Sequence, residues 1–290
     1  MDVPGIDPGP WTFPRTARND RRGQVWVILQ ESGGPVLQTI ELTKCYSAIP
    51  AVENVTFELQ AGQILGCLGP NGSGKSTTVK MLTGLLAPSR GKVLFQGEDI
   101  RNDLVRYRKR LGYVPEEPNL YPYLSGREYL EMVGILRGMP QPALGKKIDS
   151  MLELLSLYPS RHASMASYSK GMRQRILLIA SLLDNPELLI LDEPLSGLDV
   201  VSALILKNLI RTLGEQGKAV FYCSHVLEVV ERVCSHLLIL RKGKVIAHGR
   251  TEDIQSSIGQ SSLESTFHHL VEDRDPNEIT RGIIEVISRA

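Results

Sequence analysis

Short apolar runs alternate with stretches of helical periodicity along most of the chain. Before residue 69 the runs VLQTIEL, VTFEL and QILGCL have the length and composition of strands, and GKVLFQGEDI follows as a hairpin-like segment. After residue 186 the strand-like runs ELLILD, KAVFYCS and HLLIL are separated by helical segments such as SALILKNLIRTL. Because fully apolar strands need cover on both faces, the pattern predicts an α/β fold with a parallel sheet between helices.

A helical stretch from about residue 116 to residue 183 interrupts the strands. Ser125 and Glu128 form the capping-box pattern Ser-x-x-Glu before YLEMVGIL, and ALGKKIDSMLELLSL keeps a helical period. Strands of the parallel sheet lie on both sides of this stretch. The sequence therefore predicts one catalytic domain over residues 36–256 with a helical subdomain inserted at about 116–183.

The two ends of the chain differ from this domain in composition. Residues 1–35 are rich in proline, glycine and scattered arginine, which predicts a poorly ordered tail. Residues 257–290 are interpreted as a helical extension, in which PNEITRGIIEVIS places Ile279, Ile283 and Ile287 on one helix face.

The composition narrows the class of protein. The 33 lysines and arginines nearly balance 32 aspartates and glutamates, for a net charge of +1, which argues against a nucleic-acid partner. The cysteines are not spaced as metal-binding pairs, and three of the four lie in apolar runs, which predicts reduced thiols in a cytosolic protein. No apolar run approaches the ~18–20 residues that span a bilayer. We therefore expect a soluble chain without a transmembrane segment or a signal peptide.

The sequence GPNGSGKSTT follows the apolar run QILGCL and precedes the helical stretch VKMLTGLL. It contains the spacing G-x-x-x-x-G-K-[ST] of a phosphate-binding loop, in which glycines let backbone N–H groups surround a triphosphate. Lys75 can reach the β- and γ-phosphates, and the hydroxyl of Ser76 can bind Mg²⁺. We predict a nucleotide-binding loop made of Gly69, Pro70, Asn71, Gly72, Ser73, Gly74, Lys75, Ser76 and Thr77.

Two carboxylates end the apolar run LLILD, within LLILDEPLSGLD. Asp192 is predicted to hold Mg²⁺ through its water shell, and Glu193 to polarise an attacking water. An ordinary solvated turn is the alternative, and the phosphate loop upstream favours the catalytic interpretation. His225 follows the next strand, and because neighbouring parallel strands end at one edge, we predict that it approaches the γ-phosphate.

Tyr46 lies between two early strands. An adenine ring needs an aromatic stacking face, but exposed aromatic residues in loops are also common. From its position alone, adenine stacking and simple exposure are equally good interpretations.

The stretch YSKGMRQR stands directly before the apolar helix ILLIASLL. A hydroxyl, a glycine and three cations at a helix N terminus are typical of an anion site. One chain would then have two phosphate-binding segments.

From about residue 37 to residue 250, these motifs in this order resemble the ATP-binding subunit of an ABC transporter. LTKCYSAIPAVENVTFEL resembles the A-loop region with Tyr46 as the adenine-stacking residue, GPNGSGKST the Walker A loop, and LLILDE the Walker B strand with its catalytic glutamate. His225 matches the switch histidine. SGLD matches the D-loop, formed by Ser196, Gly197, Leu198 and Asp199.

YSKGM occupies the place of the family's signature, Leu-Ser-Gly-Gly-Gln. The resemblance implies that two ATPase domains pack head to tail, so that Ser169 and the N–H of Gly171 contact the γ-phosphate held by the other subunit. Lys170 replaces the first signature glycine and Met172 replaces the glutamine.

The resemblance implies a P-loop NTPase fold with a RecA-like parallel-sheet core, an antiparallel β subdomain and the inserted helical subdomain. ATP and Mg²⁺ are the implied cofactors, and the Mg²⁺ ligands are Ser76, Asp192 and the residue at the Q-loop position. That residue is Glu116 here instead of glutamine, and an ionised carboxylate adds charge and cannot donate a hydrogen bond.

The implied partners are a second ATPase subunit, identical or related, and an integral membrane permease. The permease's coupling helices would dock on about residues 116–135, with Tyr121 and Tyr123, although these aromatic residues could instead pack within the helical subdomain. The chain would then be peripheral, on the cytoplasmic side of the membrane. SKGM, PEE and SSLESTFHHL resemble the branch that energises ABC-2-type exporters.

Two alternatives to an exporter remain. The first is an importer ATPase, which is separated from an exporter only by the resemblance of SKGM and PEE to the exporter branch. An ATPase of the same superfamily that acts on nucleic acid or the ribosome is disfavoured, because the segment between Lys75 and Ser169 has no room for a long coiled coil and the chain holds one ATPase domain.

Overall fold

The computed structural model describes residues 18–19, 25–26, 34–47, 49–258, 263–265, 267 and 276–288. The strands are β1 (Arg18–Asn19), β2 (Val25–Trp26), β3 (Leu37–Tyr46), β4 (Ile49–Leu59), β5 (Ile64–Leu68), β6 (Arg90–Phe95), β7 (Glu98–Asp99), β8 (Leu111–Val114), β9 (Leu188–Asp192), β10 (Ala219–Cys223), β11 (His236–Arg241) and β12 (Lys244–Arg250). The helices are α1 (Lys75–Leu82), α2 (Leu104–Lys109), α3 (Gly126–Leu136), α4 (Gln141–Leu154), α5 (Lys170–Leu182), α6 (Val200–Glu215), α7 (Leu227–Val233), α8 (Thr251–Ile258) and α9 (Pro276–Ser288).

The main sheet has the strand order β1-β2-β12-β11-β5-β10-β9-β8. The five strands from β11 to β8 in this order are parallel, and β12 is antiparallel to β11. Every residue of β5, β9 and β10 is buried, and separate apolar clusters cover the two faces of the sheet. The predicted parallel sheet is confirmed. Its arrangement brings the C-terminal ends of β5, β10 and β9 to one edge.

A second sheet, with the order β4-β3-β6-β7, is antiparallel. The ring of Phe57 in β4 stacks on Phe221 in β10 with centroids 5.5 Å apart, which joins the two sheets. β3 and β4 are longer than the predicted strands because their pairing shifts register near Leu42 and Lys44, and Glu41 has a φ of +47°. Such bulges add residues and break the two-residue alternation that sequence reasoning follows.

Helices α3, α4 and α5 lie between β8 and β9 and share an apolar core. The predicted capping box is confirmed at the start of α3, where the Ser125 hydroxyl accepts from the Glu128 N–H at 3.2 Å. In return Glu128 Oε2 accepts from the Ser125 N–H at 2.8 Å. The core of the three helices includes Leu130, Leu144, Ile148, Leu152, Ile176 and Ile179.

Most of the predicted tail over residues 1–35 lies outside the described residues. Where it is described, β1 pairs with β2, and β2 pairs in parallel with β12, so these four residues extend the main sheet. Strands of two residues are too short for an apolar pattern to reveal.

The predicted extension over residues 257–290 is described in part. Ile283 and Ile287 of α9 are exposed, and the side chain of Ile279 lies outside the described residues. All four cysteines are free thiols. Across the described ranges, no helix combines the length and the apolar character needed to cross a bilayer.

His248 gives the fold a predicted sensitivity to acid. It lies in β12, with its ring edge-on to Phe57 at 6.3 Å, and burial lowers its pKa from 6.5 to about 4, with His236 adding to the shift. At a pH between these two pKa values, His248 binds a proton in the unfolded chain but not in the folded chain. We therefore expect the free energy of unfolding to fall by about 2 kcal/mol between pH 7 and pH 5 from this residue.

Urea unfolding followed by circular dichroism at the two pH values measures this loss. His248→Gln should reduce the pH dependence by that amount, whereas His162→Gln, at an exposed position of the helical subdomain, should leave it unchanged. Equal pH dependence in the His248→Gln variant and the unaltered chain would contradict the assignment.

Candidate nucleotide-binding site

The predicted phosphate loop connects β5 to α1 and packs closely around the start of the helix. Lys75 Nζ donates to the carbonyls of Gly69 at 2.6 Å and Pro70 at 3.2 Å, which folds the side chain back over the loop. Gly74 precedes the helix with a φ of +104°, and a Cβ there would lie 2.7 Å from the carbonyl oxygen of Ala51 in β4. Only glycine fits this position without a shift of the backbone.

The loop has the properties of an anion site. The first turn of α1 contains no acidic residue, and its free N–H groups carry the positive end of the helix dipole. Ser76 is exposed there, next to the half-buried Thr77. Ser73 Oγ is buried, with no hydrogen-bond partner among the described residues. Together with the lysine ammonium, this donor-rich concavity fits a polyphosphate.

Negative charge collects at the end of β9. Burial, together with the nearby carboxylates of Glu116 and Glu193, raises the pKa of Asp192 to about 6, while Lys75 and Lys80 oppose the shift. Glu116 is near because β8 pairs with β9 and ends two residues before it. This concentration of carboxylates fits a cation beside the phosphate loop.

The cation would need ligands beyond the protein. In the described part of the chain, no three His, Cys, Asp or Glu side chains converge closely enough to hold a metal ion. Mg²⁺ is commonly held by one or two protein ligands together with phosphates and water. The available donors, the hydroxyl of Ser76 and the carboxylate of Asp192, therefore fit a magnesium–nucleotide complex.

Glu193 sits in a strained and well-supported position. Its φ is +46°, which is unusual for a residue with a side chain, and its N–H donates to the carbonyl of Cys223 at 3.0 Å. Its Oε1 is 2.7 Å from Nδ1 of His225, and its Oε2 accepts from the Ser224 hydroxyl at 3.1 Å. The structure therefore brings His225 and Glu193 together. Sequence reasoning missed Ser224, although it directly precedes the histidine.

The predicted signature begins α5. The hydroxyl of Ser169 caps the helix by accepting from the Met172 N–H at 3.2 Å. A Cβ at Gly171 would lie 2.5 Å from the carbonyl oxygen of Gly197, so α5 and the D-loop approach at backbone distance. Within one chain, the signature therefore contacts the D-loop.

The D-loop is a tight turn between β9 and α6. Ser196 accepts a hydrogen bond from Lys170 Nζ at 2.7 Å, and the N–H of Leu198 donates to the carbonyl of Leu195. Asp199 caps α6 by accepting from the N–H of Ser202 at 2.9 Å. Hydrogen bonds from the Ser202 side chain and backbone lower the pKa of the Asp199 carboxyl.

Tyr46 is half-exposed at the end of β3, where it pairs with Ile49 across the hairpin. The ammonium of Lys44 is 5.8 Å from the centre of its ring. Two residues beyond Ile49, Ala51 packs against Gly74, so this end of the hairpin lies beside the phosphate loop. Adenine stacking by Tyr46 stays a prediction.

Comparison with known proteins extends these observations. The profile that describes the ABC transporter family matches residues 52–196. The chain belongs to the ABC transporter family. An uncharacterized ABC transporter ATP-binding protein of Methanocaldococcus jannaschii is 36% identical over 220 residues, which cover 76% of this chain and 79% of that protein.

Several relatives of this ABC ATPase have names that state a role. The Nod factor export ATP-binding protein I of Cupriavidus metallidurans is 35% identical over 79% of the chain and 76% of its own length. The linearmycin resistance ATP-binding protein of Bacillus subtilis is 34% identical over 79% of the chain and 73% of its own length.

Solved structures agree with the fold. An ATP-binding subunit of an ABC transporter superposes with a TM-score of 0.77 at 31% identity, covering 81% of this chain and 99% of that one. A dimeric ATP-binding cassette in a post-hydrolysis state, bound to ADP and phosphate, superposes with a TM-score of 0.67 at 24% identity over 74% of this chain and 98% of that one. The ABC ATPase fold and the ATPase class predicted from the sequence are confirmed.

Proposed function

We infer that this ABC ATPase powers a membrane export complex, in which two ATPase subunits bind two nucleotides at sites that both subunits share. The observation that carries the proposal is that one chain contains two separate segments with the features of an anion site, at the N termini of α1 and α5. The phosphate loop lies beside Asp192 and Glu193, whereas the N terminus of α5 contacts the D-loop. Both segments would have a use if two subunits associate, because each segment would then form half of a shared site.

The first segment would bind MgATP. The backbone of residues 69–77 and Lys75 would hold the phosphates, and Tyr46 would stack on the adenine. Ser76 and Asp192 would hold Mg²⁺, with Glu116 at its edge. The carboxylates around Asp192 support this assignment, because a nearby cation relieves their mutual repulsion. When bound, Mg²⁺ supplies positive charge that offsets the charge of the phosphates.

Glu193 would act as the base in hydrolysis. Its carboxylate would accept a proton from the attacking water. The hydrogen bonds with Ser224 at 3.1 Å and His225 at 2.7 Å, which hold the carboxylate, support this role. The imidazole of His225 is largely exposed, so the ring is accessible to the phosphate end of a bound nucleotide.

The second segment would complete the site of the other subunit. Ser169 and the N–H of Gly171 would contact the γ-phosphate held by the partner's phosphate loop, with Lys170 and Met172 beside them. A helix N terminus that carries no acidic residue in its first turn favours an anion at this position. Dimers among solved cassettes of this fold support the arrangement.

Export is favoured over import by the names of relatives. One relative is named for the export of Nod factor, and another is named for resistance to linearmycin, which export of that compound would explain. Both relatives match more than two thirds of this chain. A membrane permease would dock on residues 116–135, where Tyr121 and Tyr123 are largely exposed. Such exposed aromatic side chains are typical anchors for a partner. The chain would then lie on the cytoplasmic side of the membrane.

The direction of transport can be tested without knowing the cargo. In a strain whose only copy is Glu193→Gln, the small molecules of the cells and the medium are compared with those of a Glu215→Gln strain, altered at an exposed carboxylate that ends α6. If the complex is an exporter, at least one compound should accumulate inside the Glu193→Gln cells and be depleted from their medium. Depletion from the cells with accumulation in the medium would indicate an importer and contradict export.

A further inference from the structure

Helix α5 makes two side-chain contacts to the loop that follows β9. Lys170 Nζ donates to Ser196 Oγ at 2.7 Å, and Gln174 Nε2 donates to the carbonyl of Pro194 at 3.3 Å. The two residues are four apart, so both lie on one face of the helix. The loop that both side chains contact begins with Glu193 and includes the D-loop.

The contact at Lys170 involves packing as well as a hydrogen bond. Gly197 has a φ of +76°, and a Cβ there would lie 3.0 Å from Cγ and Cδ of Lys170. The carbonyl oxygen of Gly197 also closes on Gly171, where a Cβ would lie at 2.5 Å. Because no free space separates the start of α5 from the loop, a shift of the helix end must move the loop.

A glutamine at position 174 lowers the stability of the fold. The side chain is buried, and its Oε1 has no hydrogen-bond partner among the described residues. A buried polar atom without a partner destabilises a fold, and methionine would fill a similar volume without that cost. The contact of the amide with Pro194, rather than packing alone, therefore accounts for a glutamine at this position.

We propose that Lys170 and Gln174 are positioning residues that connect the two nucleotide sites. Through them, a nucleotide bound by the partner subunit at the start of α5 sets the position of Glu193 in their own subunit. The inference rests on the proposed function, since it requires that the two subunits share their sites. It assigns to Lys170, which replaces a signature glycine, a role within its own chain instead of a contact to phosphate.

A double-mutant cycle tests the pair Lys170 and Ser196. Lys170→Met keeps the apolar stem and removes the ammonium, and Ser196→Ala removes the acceptor. Each change alone is expected to lower kcat by about five- to tenfold, with the KM for MgATP within about twofold of the original. The double variant should be no slower than the slower single variant, because both changes remove one contact. Lys146→Met, at an exposed position of α4, serves as the control.

Multiplied losses in the double variant would overturn the role of this pair, as would a rise in KM without a fall in kcat, which indicates direct contact with nucleotide. Lys170→Arg should recover part of the lost kcat, because a guanidinium can still donate to Ser196. Failure of the proposed function gives a different result, since ATP-dependent dimers of the Glu193→Gln chain would then be absent.

Gln174→Met tests the second contact. Its melting temperature is expected to equal or exceed that of the original chain, because a buried unpaired acceptor is removed, while kcat falls by about threefold or more. A purely structural role predicts that kcat and melting temperature fall together. Either that result or an unchanged kcat would remove Gln174 from the proposal.

Discussion

Replacing Glu193 with glutamine is expected to lower the kcat for ATP by about 10²-fold or more while leaving ATP binding intact. Glutamine has the same shape, so the backbone with its φ of +46° and the contacts to Ser224 and His225 can persist. The amide cannot accept a proton from water at neutral pH. ATP should therefore bind, close two chains together and remain unhydrolysed.

Steady-state phosphate release measures the loss, and light scattering after size-exclusion chromatography measures the trapped dimer. Glu215→Gln carries the same chemical change at an exposed position and should hydrolyse ATP at the original rate. A kcat for Glu193→Gln within about threefold of the original would show that another group activates the water.

Much of the site follows from the sequence because its parts lie at strand ends. β5 leads into the phosphate loop, β9 ends at Asp192, and β10 lies between the two strands in the sheet. Once the strands are parallel, their C-terminal ends must meet, so the approach of His225 to Glu193 can be expected from order along the chain.

The contacts that support the site could not be predicted in this way. Ser224 and Glu193 are 31 residues apart, Lys170 and Ser196 are 26 apart, and Gln174 and Pro194 are 20 apart. The two contacts of α5 depend on how the helical subdomain and the sheet pack together, and the contact of Ser224 depends on side-chain orientation at two neighbouring strand ends. Hydrophobic periodicity reports which face of an element is buried but not which side chain it meets there.

The predicted lengths of β3 and β4 are wrong for another reason. Their bulges and the positive φ at Glu41 and Asn54 disturb the alternation of buried and exposed positions. The pattern therefore underestimates both strands, and the position of Tyr46 beside the phosphate loop becomes apparent only when Ala51 is seen against Gly74.

The second large effect concerns sites shared between chains. Lys75→Ala removes the lysine of the phosphate loop, and Ser169→Arg fills the start of α5, so each variant alone is expected to lose nearly all ATPase activity. In the proposed arrangement, a dimer with one chain of each kind would have one intact site, made of the unaltered phosphate loop of one chain and the unaltered signature of the other. A mixture of Lys75→Ala with Glu193→Gln would have none, because these residues belong to one chain's half of the site.

ATP hydrolysis by these mixtures across a range of ratios tests the central claim. Lys75→Ala mixed with Ser169→Arg should recover activity, although neither of these two variants is active alone. The recovered activity should peak near equal amounts of the two chains. It should reach up to about a quarter of the original rate, because about half the dimers are mixed and one of their two sites works. Lys75→Ala mixed with Glu193→Gln should recover none. Equal recovery in both mixtures, or no recovery in the first at any ratio, would contradict sites built from two chains.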